Sequence, residues 1–156
     1  MLTVTVVNSK AVTDVLAGLQ KRMGDLTPAM DGIGQELNSR ISARFETRSD
    51  PQGHPWAPWA QSTKDSYPKD GRGQLLERHG AMLQSLSFSA DKTSVRVGFG
   101  AVASKSGDVY AAYHEWGTKK MPRRGLLFAD PDAGTLAPDD EKAVLDIIDI
   151  FLTDGL

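Results

Sequence analysis

The 156-residue chain contains no cysteine. Disulfide staples, thiolate zinc sites and thiol nucleophiles are therefore all excluded, and stability has to come from packing and association. Histidine is scarce as well: the three present, His54, His79 and His114, show no HExxH or HxH spacing, so a metal centre has no sequence signal. Positive charge is not in excess. Eighteen Lys and Arg against 20 Asp and Glu give a net charge of -2, so the chain as a whole lacks the field that draws a protein onto nucleic acid. No apolar run is long enough to span a bilayer, and "MLTVTVVNSK" has no basic segment ahead of its apolar residues. Neither a membrane anchor nor a signal peptide is expected, and the cytoplasm is the default site of synthesis. No GxSxG motif is present for covalent catalysis, and no repeat or low-complexity segment appears.

What is present suits a folded protein: 40% of the residues are apolar and 24% charged, and the length fits one domain over 1–156. "LTVTVV" alternates with a period of two and predicts a short edge strand. Val12, Val15, Leu16, Leu19 and Met23 recur at helical spacing and predict an amphipathic helix with a buried stripe, ending near Gly24. Thr27 as cap, Pro28, and Met30, Ile33, Leu37, Ile41 and Phe45 predict a second helix. Gly32 and Gly34 weaken it by about 1 kcal/mol each relative to alanine, so packing must hold it. Residues 48–73 carry four prolines and no sustained period, which reads as a long irregular loop. A helical segment is expected over 74–90, with Leu75, Leu76, Met82, Leu83 and Leu86 on its apolar face. "TSVRVGFG" and "DVYAAYHEWG" read as strands joined by the loose connection "AVASKSG", and "GLLFAD" as a third strand. The end of the chain reads as a helix capped by Asp139 or Asp140, with Val144, Ile147, Ile148 and Phe151 on one face. The expected class is α+β, a small antiparallel sheet packed against N-terminal and C-terminal helices.

The stretch "YAAYHEWGTKKMPRRGLLFAD" (110–130) concentrates the candidates for chemistry. On a strand, His114 and Glu115 point to opposite faces and form no dyad, while Trp116 shares the face of His114. "GFGAVA" (98–103) matches GxGxxA, but "SKSGDVY" cannot supply the helix that a dinucleotide site needs, so these glycines read as strand-end and loop residues. Lys119, Lys120, Arg123 and Arg124 are a local hint of phosphate contact; the plainer reading is a solvated or ion-pairing patch facing Asp130, Asp132, Asp139, Asp140 and Glu141. Trp56 and Trp59 either fold back onto a helix or present themselves to a partner. The expectation is no enzymatic reaction, no metal and no cofactor.

Three stretches taken together, "DPQGHPWAPWAQST" (50–63), "LLERHGAMLQSLSF" (75–88) and 110–130, resemble the phage virion morphogenesis family, which contains the tail completion proteins of Mu-like and P2-like phages. The correspondence runs over roughly residues 35–135 through Asp50, Pro51, Gly53 and Trp56, then Leu75, Leu76, Gly80, Leu83 and Ser85, then Tyr110, Ala111, His114, Gly117, Pro122, Arg123 and Leu127. At "RRGLLF" the chain departs from it: the family more often has Arg-Pro-Phe where Arg124 and Gly125 stand. The resemblance implies a structural protein that completes the tail and helps form the head–tail junction. It also implies self-association into a ring, hexameric in many related neck and terminator proteins, with tail-tube and head-connector proteins as partners. DNA would pass transiently through the pore, and the protein would act in the bacterial cytoplasm during assembly and then in the virion tail. Trp56, Trp59, Tyr110, His114 and Trp116 become the expected subunit or partner interface. Lys119, Lys120, Arg123 and Arg124 become a lumen or ion-pairing patch, and reversing Arg123 and Arg124 to glutamate is expected to block tail completion while leaving the fold intact. The alternative is a nucleic-acid-binding or processing protein using the basic 119–124 segment.

Overall fold

The computed structural model describes residues 10–101 and 107–155. In chain order the elements are α1 (Lys10–Gly24), α2 (Thr27–Thr47), α3 (Gln61–Asp65), α4 (Ala81–Gln84), β1 (Leu86–Ala90), β2 (Val95–Phe99), α5 (Ala111–Trp116) and α6 (Pro138–Thr153). The class is α+β, as expected. The strand predicted over residues 2–7 and most of the "AVASKSG" connection lie outside the described residues.

The central element is α2. Ile33, Ile41 and Phe45 of its apolar stripe are buried, and Phe45 meets Trp56 edge-on at 5.5 Å and Phe99 at 6.0 Å. Ile41, Phe45, Trp56, Met82, Ala111 and Leu126 form the core cluster. The sheet packs on one side of α2, and α6 packs on α2 and α1. The C-terminal helix thus lies mainly on helices and not, as predicted, on the sheet. A Cβ at Gly34 would stand 2.2 Å from the Phe88 ring, so the glycine lets β1 approach the helix. The cap of α2 is Leu26 and not Thr27; the Asp25 carboxylate one step upstream accepts the Thr27 N–H at 3.0 Å.

The hairpin differs from the expected one. β2 is where "TSVRVGFG" predicts it, but its partner is β1, paired antiparallel from Leu86↔Phe99 to Ala90↔Val95. The turn is held by Asp91, whose Oδ1 accepts the N–H groups of Thr93 and Ser94 at 2.8 Å each; these backbone bonds help hold its carboxyl down at about 2. The helix expected over 74–90 shrinks to α4 because Leu76 (φ +61°) and Gly80 (φ +77°) take left-handed conformations that no right-handed helix accepts.

Residues 111–116 form helix α5 instead of a strand. Ala111 and Glu115 are its buried residues while Tyr113 between them is exposed, a pattern that suits a helix and not a strand, which would put all three on one face. "GLLFAD" is not a strand either, because the N–H groups of residues 126–128 bind a carboxylate instead of a neighbouring strand. At α6 the cap is Ala137, and Asp140 turns inward to pair with Arg44, with Arg40 at 3.7 Å. Arg44 also donates to the Leu126 carbonyl, so one buried guanidinium ties α2, α6 and the 126–128 segment together. Arg22 of α1 donates to the Phe151 and Leu152 carbonyls at 3.1 and 3.0 Å, closing the end of α6.

The stripe of α1 is not buried as predicted: Leu16 and Met23 are 60% and 65% exposed, and Val12 and Val15 are exposed too. Its length and phase are as expected, but α1 touches α6 near its C-terminal end and leaves its apolar face to solvent.

Candidate functional site

The 110–130 stretch folds around Glu115. Its carboxylate is 2% exposed and accepts the N–H groups of Leu126, Leu127 and Phe128 at 2.6, 3.0 and 3.0 Å. Arg123 stands at 3.4 Å from the same carboxylate and donates to the Glu115 and Phe128 carbonyls, each at 2.7 Å. Arg124 is buried, donating to the Ala57 and Pro58 carbonyls at 2.8 and 2.9 Å. Two of the four cations expected to face a neighbour or a lumen are therefore internal ties. The reason is geometric: the turn after Pro122 runs past carbonyls that no strand or helix satisfies, and guanidinium forks meet them. Lys119 and Lys120 remain exposed in the turn bridged by Thr118 and Met121.

Three of the five acids supposed to face that patch are also engaged within the chain, while Asp139 and Glu141 are exposed. Asp130 Oδ1 accepts the Asp132 and Ala133 N–H groups, Asp132 accepts the Trp116 indole N–H at 3.1 Å, and Asp140 pairs with Arg44. Trp116 is half exposed at 51%. Trp56 is a core residue, 5% exposed, its indole N–H bonded to the Gly125 carbonyl at 3.0 Å, so it presents no surface to a partner.

Trp59, Tyr110 and His114 are brought together on the wall of one open cleft of about 540 Å³. It lies between the 59–67 segment, the 74–82 segment, α5 and the 120–124 turn. Trp59 stacks on Tyr67 at 4.8 Å with 28° between the rings, and the Arg78 guanidinium sits 5.9 Å from the centre of the Tyr67 ring. Leu76, Met82 and Met121 supply apolar lining, and Lys120 and Arg124 add charge. Burial, then the nearby Arg124, pushes His114 down to about 4, so the ring is neutral at pH 7. Burial also raises Tyr110. His114 and Glu115 are neighbours on a helix, not opposite faces of a strand, and they still form no dyad: one lines the cleft and the other is fully engaged beneath it. Among the described residues no group of three or more His, Asp or Glu could hold a metal, and no helix is long and apolar enough to cross a membrane.

Tyr67, Arg78 and Met82 have no signal in the sequence as cleft residues, since what unites them is the left-handed turn at Leu76 and Gly80, which folds 74–82 back over 59–67.

Across residues 7–153 the sequence matches the model of the phage virion morphogenesis family. The chain belongs to that family. No curated protein and no solved structure matches it. The match extends well beyond residues 35–135, taking in α1 and α6. Membership in the virion morphogenesis family associates the protein with the phage particle and gives it a role in assembly, structural rather than catalytic in character.

Proposed function

We propose that this virion morphogenesis protein completes the phage tail and helps form the head–tail junction, acting as a ring of identical subunits on the tail tube. The observation that carries the ring is the apolar stripe of α1. Val15, Leu16 and Met23 are 39%, 60% and 65% exposed on one helix face, in a protein whose family builds particles. A contiguous apolar face of this kind marks a surface that is covered on association. The two-stranded sheet adds a second route, because each strand has partners on one side only among the described residues.

Lys119 and Lys120 are the exposed cations left to face a lumen through which DNA passes. The rival reading, a nucleic-acid-binding or processing protein, is weakened by the same geometry: Arg124 is buried, Arg123 is engaged by the Glu115 and Phe128 carbonyls, and the net charge is -2.

The test is light scattering after size exclusion together with negative-stain imaging, and a phage lacking the gene. Rings, free or at tail ends, and a mutant lysate that accumulates filled heads beside unjoined tails are expected. Infectious particles at normal titre from the deletion would overturn the assignment. A monomer binding DNA with steep salt dependence would favour the rival.

A further inference from the structure

We propose that the cleft beside His114 is the socket for helix α6 of a second copy of this chain. The proposal rests on the ring reading and identifies one pair of surfaces that meet in it. Among the described residues no carboxylate lines the cleft: its charged or titratable groups are Arg78, His79, Tyr110, His114, Lys120 and Arg124, with Tyr67 on the aromatic wall. In a chain of net charge -2, an acid-free cleft with three permanent cations is a marked local reversal. Its lining between them is apolar and aromatic. Such a site selects an occupant that carries an apolar side chain between carboxylates.

The exposed side of α6 has that pattern. Leu145 is 57% exposed, and Glu141 and Asp149, one turn before and one turn after it, are exposed on the same stripe. The one basic residue of α6, Lys142, is paired with Asp146 on the adjoining stripe at 2.5 Å. The other side of α6 is already taken by α2 and α1. Cleft and ridge share no residue, so the contact joins two different patches, the heterologous type that closes into a ring. The exposed face of α1 is a poorer occupant, because that helix carries Lys10, Lys21 and Arg22 against one acid, Asp14.

The absence of native cysteine makes introduced thiols unique. Ala81→Cys places one at the exposed rim of the cleft, and Lys142→Cys places one beside Glu141 and leaves Leu145 and the ridge carboxylates in place. A short bis-maleimide is applied to the double variant, both as concentrated purified protein and in lysates assembling tails, with negative-stain imaging of the same samples. The expected result is a ladder of covalent oligomers from the double variant, with no ladder beyond a dimer from either single variant. Adding Leu145→Arg should reduce the ladder about tenfold or more, as loss of a central apolar contact does. Adding Lys120→Glu should reduce it too, with partial recovery when Glu141→Lys is combined. Rings without a ladder overturn the socket and leave the ring reading standing. Neither rings nor a ladder in either sample overturns both. A ladder that survives Leu145→Arg overturns the socket, as does a cleft whose Lys120→Glu change alters only DNA binding.

Discussion

Deleting the Glu115 carboxylate would leave three peptide N–H groups, those of Leu126, Leu127 and Phe128, without their acceptor. A buried donor left unmet costs about 1–3 kcal/mol, so Glu115→Ala should lower the unfolding free energy by about 3 kcal/mol or more. Urea titration measures it, and an unchanged midpoint would show that the 126–128 segment is held by something else. His114 gives a pH dependence whose sign follows from its burial. The folded-state value of about 4 lies below the ordinary 6.5, so its contribution to stability is complete above pH 6.5 and is lost as the pH falls toward 4. The loss amounts to up to about 3 kcal/mol, because protonation would place a desolvated charge near Arg124. Thermal melts at pH 7 and pH 5 should diverge, and His114→Gln should shrink the gap; an equal gap in the variant would assign the effect to other groups. Reversing Arg123 and Arg124 to glutamate, expected from sequence to spare the fold, would instead break the ties to the Phe128, Ala57 and Pro58 carbonyls. Surface charge is better tested at Lys119 and Lys120.

At the scale of elements, α2 joins the packed layers through one glycine and one arginine. Gly34→Ala puts a methyl into the Phe88 ring, and overpacking of this kind costs about 1–3 kcal/mol despite the gain in helix propensity. Stabilisation by that substitution, read from the urea midpoint, would show that β1 can retreat freely. Arg44→Met leaves Asp140 buried with only Arg40 at 3.7 Å, and an uncompensated buried charge costs about 3–5 kcal/mol. The double variant Arg44→Met with Asp140→Leu should recover most of the loss. α1, α2, β2 and α6 were legible because their periodicity extends over enough residues to define a face. β1 and α5 were not. Residues 86–90 follow a four-residue helix with apolar residues in both, and 111–116 is too short for its period to be read without knowing that Tyr113 is exposed between the buried Ala111 and Glu115.

For the whole molecule, exposure of the α1 stripe separates folding from assembly. Leu16→Asp with Met23→Asp changes two mostly exposed side chains, so the melting temperature should stay close to that of the parent, within about 0.5 kcal/mol in stability for each exposed position. Ring formation and the joining of heads to tails should be lost. A variant that still assembles would place the subunit contact elsewhere on the surface, and one that unfolds would make α1 part of the core.

Pattern alone determined the class, the long helices, β2 and the family, because these depend on apolar spacing and on motif order along the chain. The cleft and the roles of the charged residues in it were decided only by tertiary structure. Whether an arginine faces solvent or a carbonyl depends on which unsatisfied backbone groups the fold brings beside it. In "YAAYHEWGTKKMPRRGLLFAD" the sequence shows four cations, but it is the path of the chain past Ala57, Pro58 and Phe128 that ties two of them to backbone carbonyls and leaves Lys119 and Lys120 exposed.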